Sequence, residues 1–382
     1  MKRVNSIFLK DGFLLVFCFI SIFIGDVLTK VFPSFLFSPS KIVKAFIILL
    51  LIFLSFKLNK KFFAYFAISV MVFFLGAIFI SFQRLLINFS QFIEYYFIFF
   101  FFIAFSKKIS AFISKVLATI FLFHSLVIFL AFIFEIEFLK TYSAPDRFGY
   151  ISFFNSQNEF SYIMISGVAF FAFFAIQKRT ILSYLILVFF VFSSLLVGTK
   201  AIYLFVLLFL PIVFFKEIKL KLLLPTLALV LLFAFYVKDH IFNYLGRHFG
   251  LLVRLYENEG LISLLSSKRS VYFSDRFFTT KNEFTFINYL FGGNSIVNSY
   301  EMSFFELLFF LGIIGAILYI ILAQKFIFKN FCFNYISRAY FFIVIGITLV
   351  AGYLIENASA QVYTLLTLMS MGNYWNISKE TS

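Results

Sequence analysis

The chain has 382 residues, 63% of them hydrophobic and 13% charged, with a formal net charge of +15 and a mean hydropathy of +1.04. Soluble domains are about 45–50% apolar and about 25% charged, and a globule of this length cannot hide so much apolar surface behind a wet exterior. A soluble enzyme, a disordered chain and a disulfide scaffold are excluded, and long apolar runs point to membrane helices rather than a barrel of short alternating strands.

The start, Met1-Lys2-Arg3, resembles a signal n-region, but no small-residue cleavage site follows the first apolar run, which reads as a retained span. A span needs about 20 mainly apolar residues. Twelve candidates follow in chain order: 12–28, 42–56, 62–82, 89–105, 109–134, 160–177, 181–197, 201–215, 222–237, 303–323, 336–355 and 358–373. Lys and Arg in short loops set the orientation. With the N-terminus inside, the inner turns hold Lys57, Lys60 and Lys61; Lys107 and Lys108; Lys178 and Arg179; Lys216, Lys219 and Lys221; and Lys325, Lys329 and Arg338. Both termini are then cytoplasmic. The expected fold is all-α: one polytopic membrane domain over 1–382, with two substantial outer segments, 135–159 and 238–302. Leucines at roughly helical spacing in the longer one, such as Leu251, Leu255 and Leu261, predict an amphipathic helix over the outer face.

The 68 Phe residues lie mostly inside the apolar runs and there is one Trp, so the aromatic excess reads as compositional bias rather than a sugar-stacking surface. Cys18 and Cys332 fall in or beside apolar runs and indicate neither a disulfide framework nor a metal site. His124, His240 and His248 are too scattered for a metal site, and His124 is expected to hydrogen-bond inside the bundle. No Walker loop, G-x-G-x-x-G or H-E-x-x-H is present, so the chemistry is expected to need no metal and no diffusible cofactor.

Four cations remain near outer span ends: Arg147, Lys200, Arg269 and Arg276. Charge near hydrocarbon is costly and rarely idle. Each could snorkel to lipid phosphates, but four together against the inside-positive bias fit a doubly charged group such as a lipid pyrophosphate. Glu301 stands where the long loop meets the tenth span, with water access enough to ionise and accept a proton. Glu306 is about 500° further round a helix, pointing away from Glu301, and is expected to hold a partner inside the bundle. Gly312 and Gly315 form a small-x-x-small pair expected to let a neighbouring helix approach.

Three segments together resemble the O-antigen polymerase and ligase family (Wzy-type polymerases) of bacterial envelope polysaccharide assembly. R-F-G-Y-I-S-F-F-N-S-Q-N is similar to the family's Arg-x-x-Gly-x-x-x-x-Pro-Asn stretch, with Arg147, Gly149 and Asn158 matching and Gln157 at the Pro position. G-T-K-A-I-Y-L is similar to a Gly-Ser-Arg-small pattern, with Lys200 where Arg is commoner. The third runs from S-K-R-S through Gly292-Gly293 to Y-E-M-S-F-F-E-L-L-F-F-L-G-I-I-G; Glu301 stands where ligases carry His. The likeness covers roughly residues 140–320.

The resemblance implies transfer of a glycan from undecaprenyl pyrophosphate at the periplasmic face of the bacterial inner membrane. It makes Arg147, Lys200 and Arg269 or Arg276 holders of the departing pyrophosphate, and Glu301 the group that orients or deprotonates the acceptor hydroxyl. Asn158 and Glu306 would support them. The implied partners are the lipid-linked glycan, the bilayer and a chain-length-regulating co-polymerase in the membrane, with no nucleic acid. An O-antigen ligase and a polysaccharide flippase or transporter are the alternatives.

Overall fold

The computed structural model describes residues 12–33, 38–78, 80–106, 111–142, 148–154, 156–217, 277, 284–292, 302–331, 333–350 and 352–380. Among these, regular structure is helical apart from one isolated antiparallel bridge between Lys140 and Tyr150. The helices are α1 Phe13–Val31, α2 Pro39–Leu58, α3 Lys60–Gly76, α4 Phe82–Phe105, α5 Ala111–Ile133, α6 Gln157–Lys178, α7 Ile181–Leu195, α8 Lys200–Glu217, α9 Phe286–Phe291, α10 Ser303–Leu322, α11 Tyr335–Val350 and α12 Ala358–Glu380. Every expected span except 222–237 has a described helix over it. That span lies outside the described residues, as does 238–302 apart from Phe277, 284–292 and Met302, its expected amphipathic helix included.

Among the described residues, five helical segments are long and apolar enough to cross a membrane: α1, α4, Phe112–Ile133 of α5, α6, and Ser303–Asn330, which continues α10 through a π-helical and a 3-10 turn. α7, α8 and α11 are apolar but shorter. The protein is thus an all-helical, multi-pass membrane protein whose solvent is the bilayer. Its outside agrees: Phe46 and Phe82 are 73% and 74% exposed, which hydrocarbon tolerates and water does not.

The helices run up and down, and the end at which α1 finishes and α2 begins is called upper below. Short polar caps turn the chain. Asn59 Oδ1 accepts from Phe62 N (3.0 Å) to start α3, and Asn357 Oδ1 accepts from Ser359 N (2.9 Å) and Ala360 N (3.2 Å) to start α12. Several boundaries differ from the hydropathy reading, among them the end of α11 at Val350 rather than 355 and of α12 at Glu380 rather than 373. α3 stops at Gly76 rather than 82, and α4 begins at Phe82 rather than 89. Gln83, Arg84, Asn88 and Ser90 lower the local hydropathy, yet a helix needs only its backbone bonds and tolerates them.

α6 is the central helix, with 94% of its most apolar window buried against α5, α7, α8 and α12. Phenylalanine fills the bundle around it. Phe121 of α5 lies 5.7 Å from both Phe170 and Tyr363, and on the other side Phe62, Phe66, Phe100 and Tyr96 interlock edge to face. Such pairs contribute about 0.5–1.5 kcal/mol each beyond buried area.

The Gly312–Gly315 pair works differently from the expected stripe. Gly312 leaves the helical conformation (φ 68°, ψ 172°) and breaks α10, because the Gly292 turn passes against it. A Cβ on Gly312 would lie 2.3 Å from Gly292 N, and one on Gly76 would lie 2.1 Å from Gly292 O. Backbone therefore packs on backbone where α3, α9 and α10 meet. Only Gly315 faces a neighbouring helix, at 3.9 Å from Val72 of α3.

Candidate functional site

Two of the three resemblance segments are joined at the upper end, although about fifty residues separate them. Residues 148–151 cross between the Leu139–Thr141 segment and the turn before α8. Thr141 N donates to Gly149 O (2.8 Å), Ile151 N to Leu139 O (2.7 Å) and Tyr150 N to Leu196 O (2.9 Å). Thr141 Oγ1 donates to Val197 O at 3.1 Å. Gly198 is left-handed (φ 76°), and its missing side chain admits Phe148 O, which a Cβ would approach to 2.0 Å. Ser161 of α6 and Thr199 share a 2.8 Å hydrogen bond. This seam ties the turn that precedes Lys200, the half-buried first residue of α8, to residues 148–151 and to the start of α6, whose first turn carries Asn158. Arg147, Arg269, Arg276 and Glu301 lie outside the described residues, so Lys200 is the described member of the expected cation set.

Glu306 is buried in the first turn of α10, and its partner is Glu356, in the turn before α12. The two carboxyls are close enough to interact electrostatically, and Tyr353 N donates to Glu356 Oε2 at 3.2 Å, while Glu356 Oε1 and Ser303 Oγ are buried with no hydrogen-bond partner among the described residues. Burial first, and the Glu306 carboxyl next, push Glu356 well above the usual carboxylate range.

A third group had no place in the reading from sequence. Lys44 Nζ of α2 lies 3.1 Å from Asp26 Oδ1 of α1 and 3.7 Å from Glu159 Oε1 of α6. Ser40 Oγ donates to Asp26 Oδ1 (2.5 Å) and Ser359 Oγ of α12 to Asp26 Oδ2 (2.7 Å). Asp26 and Glu159 are 5% and 7% exposed. The signal was available: ionisable residues inside or at the mouth of apolar runs are rarely idle. Their assembly was not legible, because three distant helices supply them.

His124 is fully buried, as expected of a bundle-interior hydrogen-bonding group. Its Nδ1 pairs with Ser152 Oγ at 2.9 Å and its Nε2 with Tyr363 OH at 3.4 Å. Among the described residues, no group of three or more His, Cys, Asp or Glu side chains is placed to hold a metal ion. No family model, curated protein or solved structure matches the chain.

Proposed function

We propose that this protein polymerises oligosaccharide repeat units carried on undecaprenyl pyrophosphate, at the periplasmic face of the bacterial inner membrane, by metal-independent glycosyl transfer. The observation that carries the reading is the seam between 148–151 and 196–200, which draws together two segments resembling the polymerase family at the end where Glu306 also stands. Lys200 adds a physical argument. A cation in the first turn of α8 adds its charge to the positive end of the helix dipole, so an anion placed there would be attracted by both.

In the reaction, the bond from the anomeric carbon to the pyrophosphate oxygen breaks and the pyrophosphate keeps the electron pair. A bond forms from that carbon to an acceptor hydroxyl of another repeat unit, whose proton passes to Glu301. Lys200, with Arg147, Arg269 and Arg276, neutralises the leaving charge. A carboxylate base within hydrogen-bond reach adds about 10²–10⁴-fold.

The test reads the polysaccharide ladder of cells carrying Lys200→Ala or Glu301→Gln, beside the sidedness of lipid-linked units. The expected result is loss of polymer, near-normal protein level, and single units accumulating on the outer face. A normal ladder in both variants overturns the reading. Units stranded on the cytoplasmic side would make the protein a flippase instead.

A further inference from the structure

The Asp26–Lys44–Glu159 group is one positive charge short. Two carboxylates surround one ammonium where α1, α2, α6 and α12 meet at the upper end. The other facing groups do not make up the deficit. Glu94 of α4 adds a further negative charge within reach of Lys44, and is offset by Lys41, which is exposed. From α12 come only neutral groups: Ser359, Asn357 just before the helix, and Tyr363, which leads to His124 of α5. An uncompensated charge so far from water is costly.

The two carboxylates are unequally served. Asp26 accepts hydroxyl hydrogen bonds on both oxygens and holds Lys44 at 3.1 Å, so it is saturated as the ammonium's counter-ion. Glu159 Oε1 is buried and accepts no hydrogen bond, and the ammonium stands 3.7 Å off, beyond bonding distance. The missing charge therefore belongs at Glu159.

We propose that the Asp26–Lys44–Glu159 group is a binding site for one monovalent cation, a proton or sodium, taken up at Glu159 Oε1. A proton there turns the orphaned oxygen into a neutral hydroxyl. Sodium would find carboxylate, hydroxyl and amide oxygens from Glu159, Ser359 and Asn357. Either ligand brings the group to neutrality and draws α6 toward α1, α2 and α12. The site is independent of the glycosyl-transfer reading, since its occupancy is read from the protein itself rather than from polymer.

The experiment measures the unfolding equilibrium of the full chain in detergent from mildly acidic to alkaline pH, in sodium chloride and in choline chloride. Glu356→Gln serves as the parent, so that the raised Glu356 carboxyl does not contribute to the slope. One cation bound only by the folded state lowers the unfolding constant about tenfold for each tenfold rise in its concentration, above the site's dissociation constant. A slope with pH alone assigns the proton, and a slope with sodium but not choline assigns sodium; either supports the site. Adding Glu159→Gln should flatten that slope, because the amide mimics the neutral acid. Adding Lys44→Gln instead leaves two carboxylates and should steepen it. A parent indifferent to both pH and sodium overturns the proposal. So does a slope that survives Glu159→Gln, or, should that variant not fold, one unchanged by Lys44→Gln.

Discussion

Replacing Gly198 by alanine tests whether the seam beneath Lys200 is as tight as its geometry indicates. Two costs add. Gly198 sits at φ 76°, where a side chain costs about 1–2 kcal/mol. The new Cβ would also lie 2.0 Å from Phe148 O, whereas real contacts begin near 3.0 Å. The obstacle is backbone, already bonded on both sides through Thr141 and Tyr150, so it cannot swing aside as a side-chain tip would. Overpacking of this kind costs about 1–3 kcal/mol, giving about 2–5 kcal/mol in all. Gly346, in α11, is the control. A Cβ there meets nothing within 4 Å, so Gly346→Ala should be neutral or stabilise the helix by less than about 1 kcal/mol. Unfolding of both variants in denaturing detergent, beside their polysaccharide ladders, makes the comparison. Gly198→Ala should lose stability and polymer while Gly346→Ala keeps both. Equal stabilities would refute the close approach of the two segments.

Two further predictions follow from charge. Burial and then the Glu306 carboxyl raise Glu356 well above its ordinary value of 4.5 in the folded state, so the folded chain binds this proton more tightly than the unfolded one. Stability from this group should be fully present below about that value and fall as pH rises through the raised one; a shallower fall in Glu356→Gln than in the native protein checks it, and equal falls would refute it. The cationic turns predict that a reporter fused after Arg179 stays cytoplasmic while one at exposed Glu137 lies outside; an outside signal at 179 would reverse the orientation.

The helices were legible because the bilayer leaves the backbone no alternative. An apolar run such as Phe13–Val31 must bond within itself, so its hydropathy alone fixes its form. Partners were less legible. Glu306 could be read as needing one, but Glu356 lies fifty residues on in a turn with no pattern of its own. The seam was half visible: Gly149 and Gly198 stand in the two resembling segments, yet nothing in either says that it faces the other. Gly312 misled for a physical reason. The same residue type serves close helix approach and a left-handed break, and only the passing Gly292 turn decides between them.

The buried acids bear on how the proposed reaction could be divided between two sides of the upper end. Asp26, Glu159 and Glu306, buried, and Glu94 and Glu356, half-buried, all approach that end, with the half-buried Lys44 between Asp26 and Glu159. A pyrophosphate would be repelled there. Lys200 stands at the start of α8, and the turn before it is bonded to residues 148–151, which follow Arg147 in the sequence. On this reading the leaving group belongs on the α8 side, and the acceptor belongs on the side where α10 begins, since carboxylates accept hydrogen bonds from sugar hydroxyls. The two halves of a transfer reaction call for opposite charges, and a chain so basic overall has placed its buried acids where only one of those halves could use them.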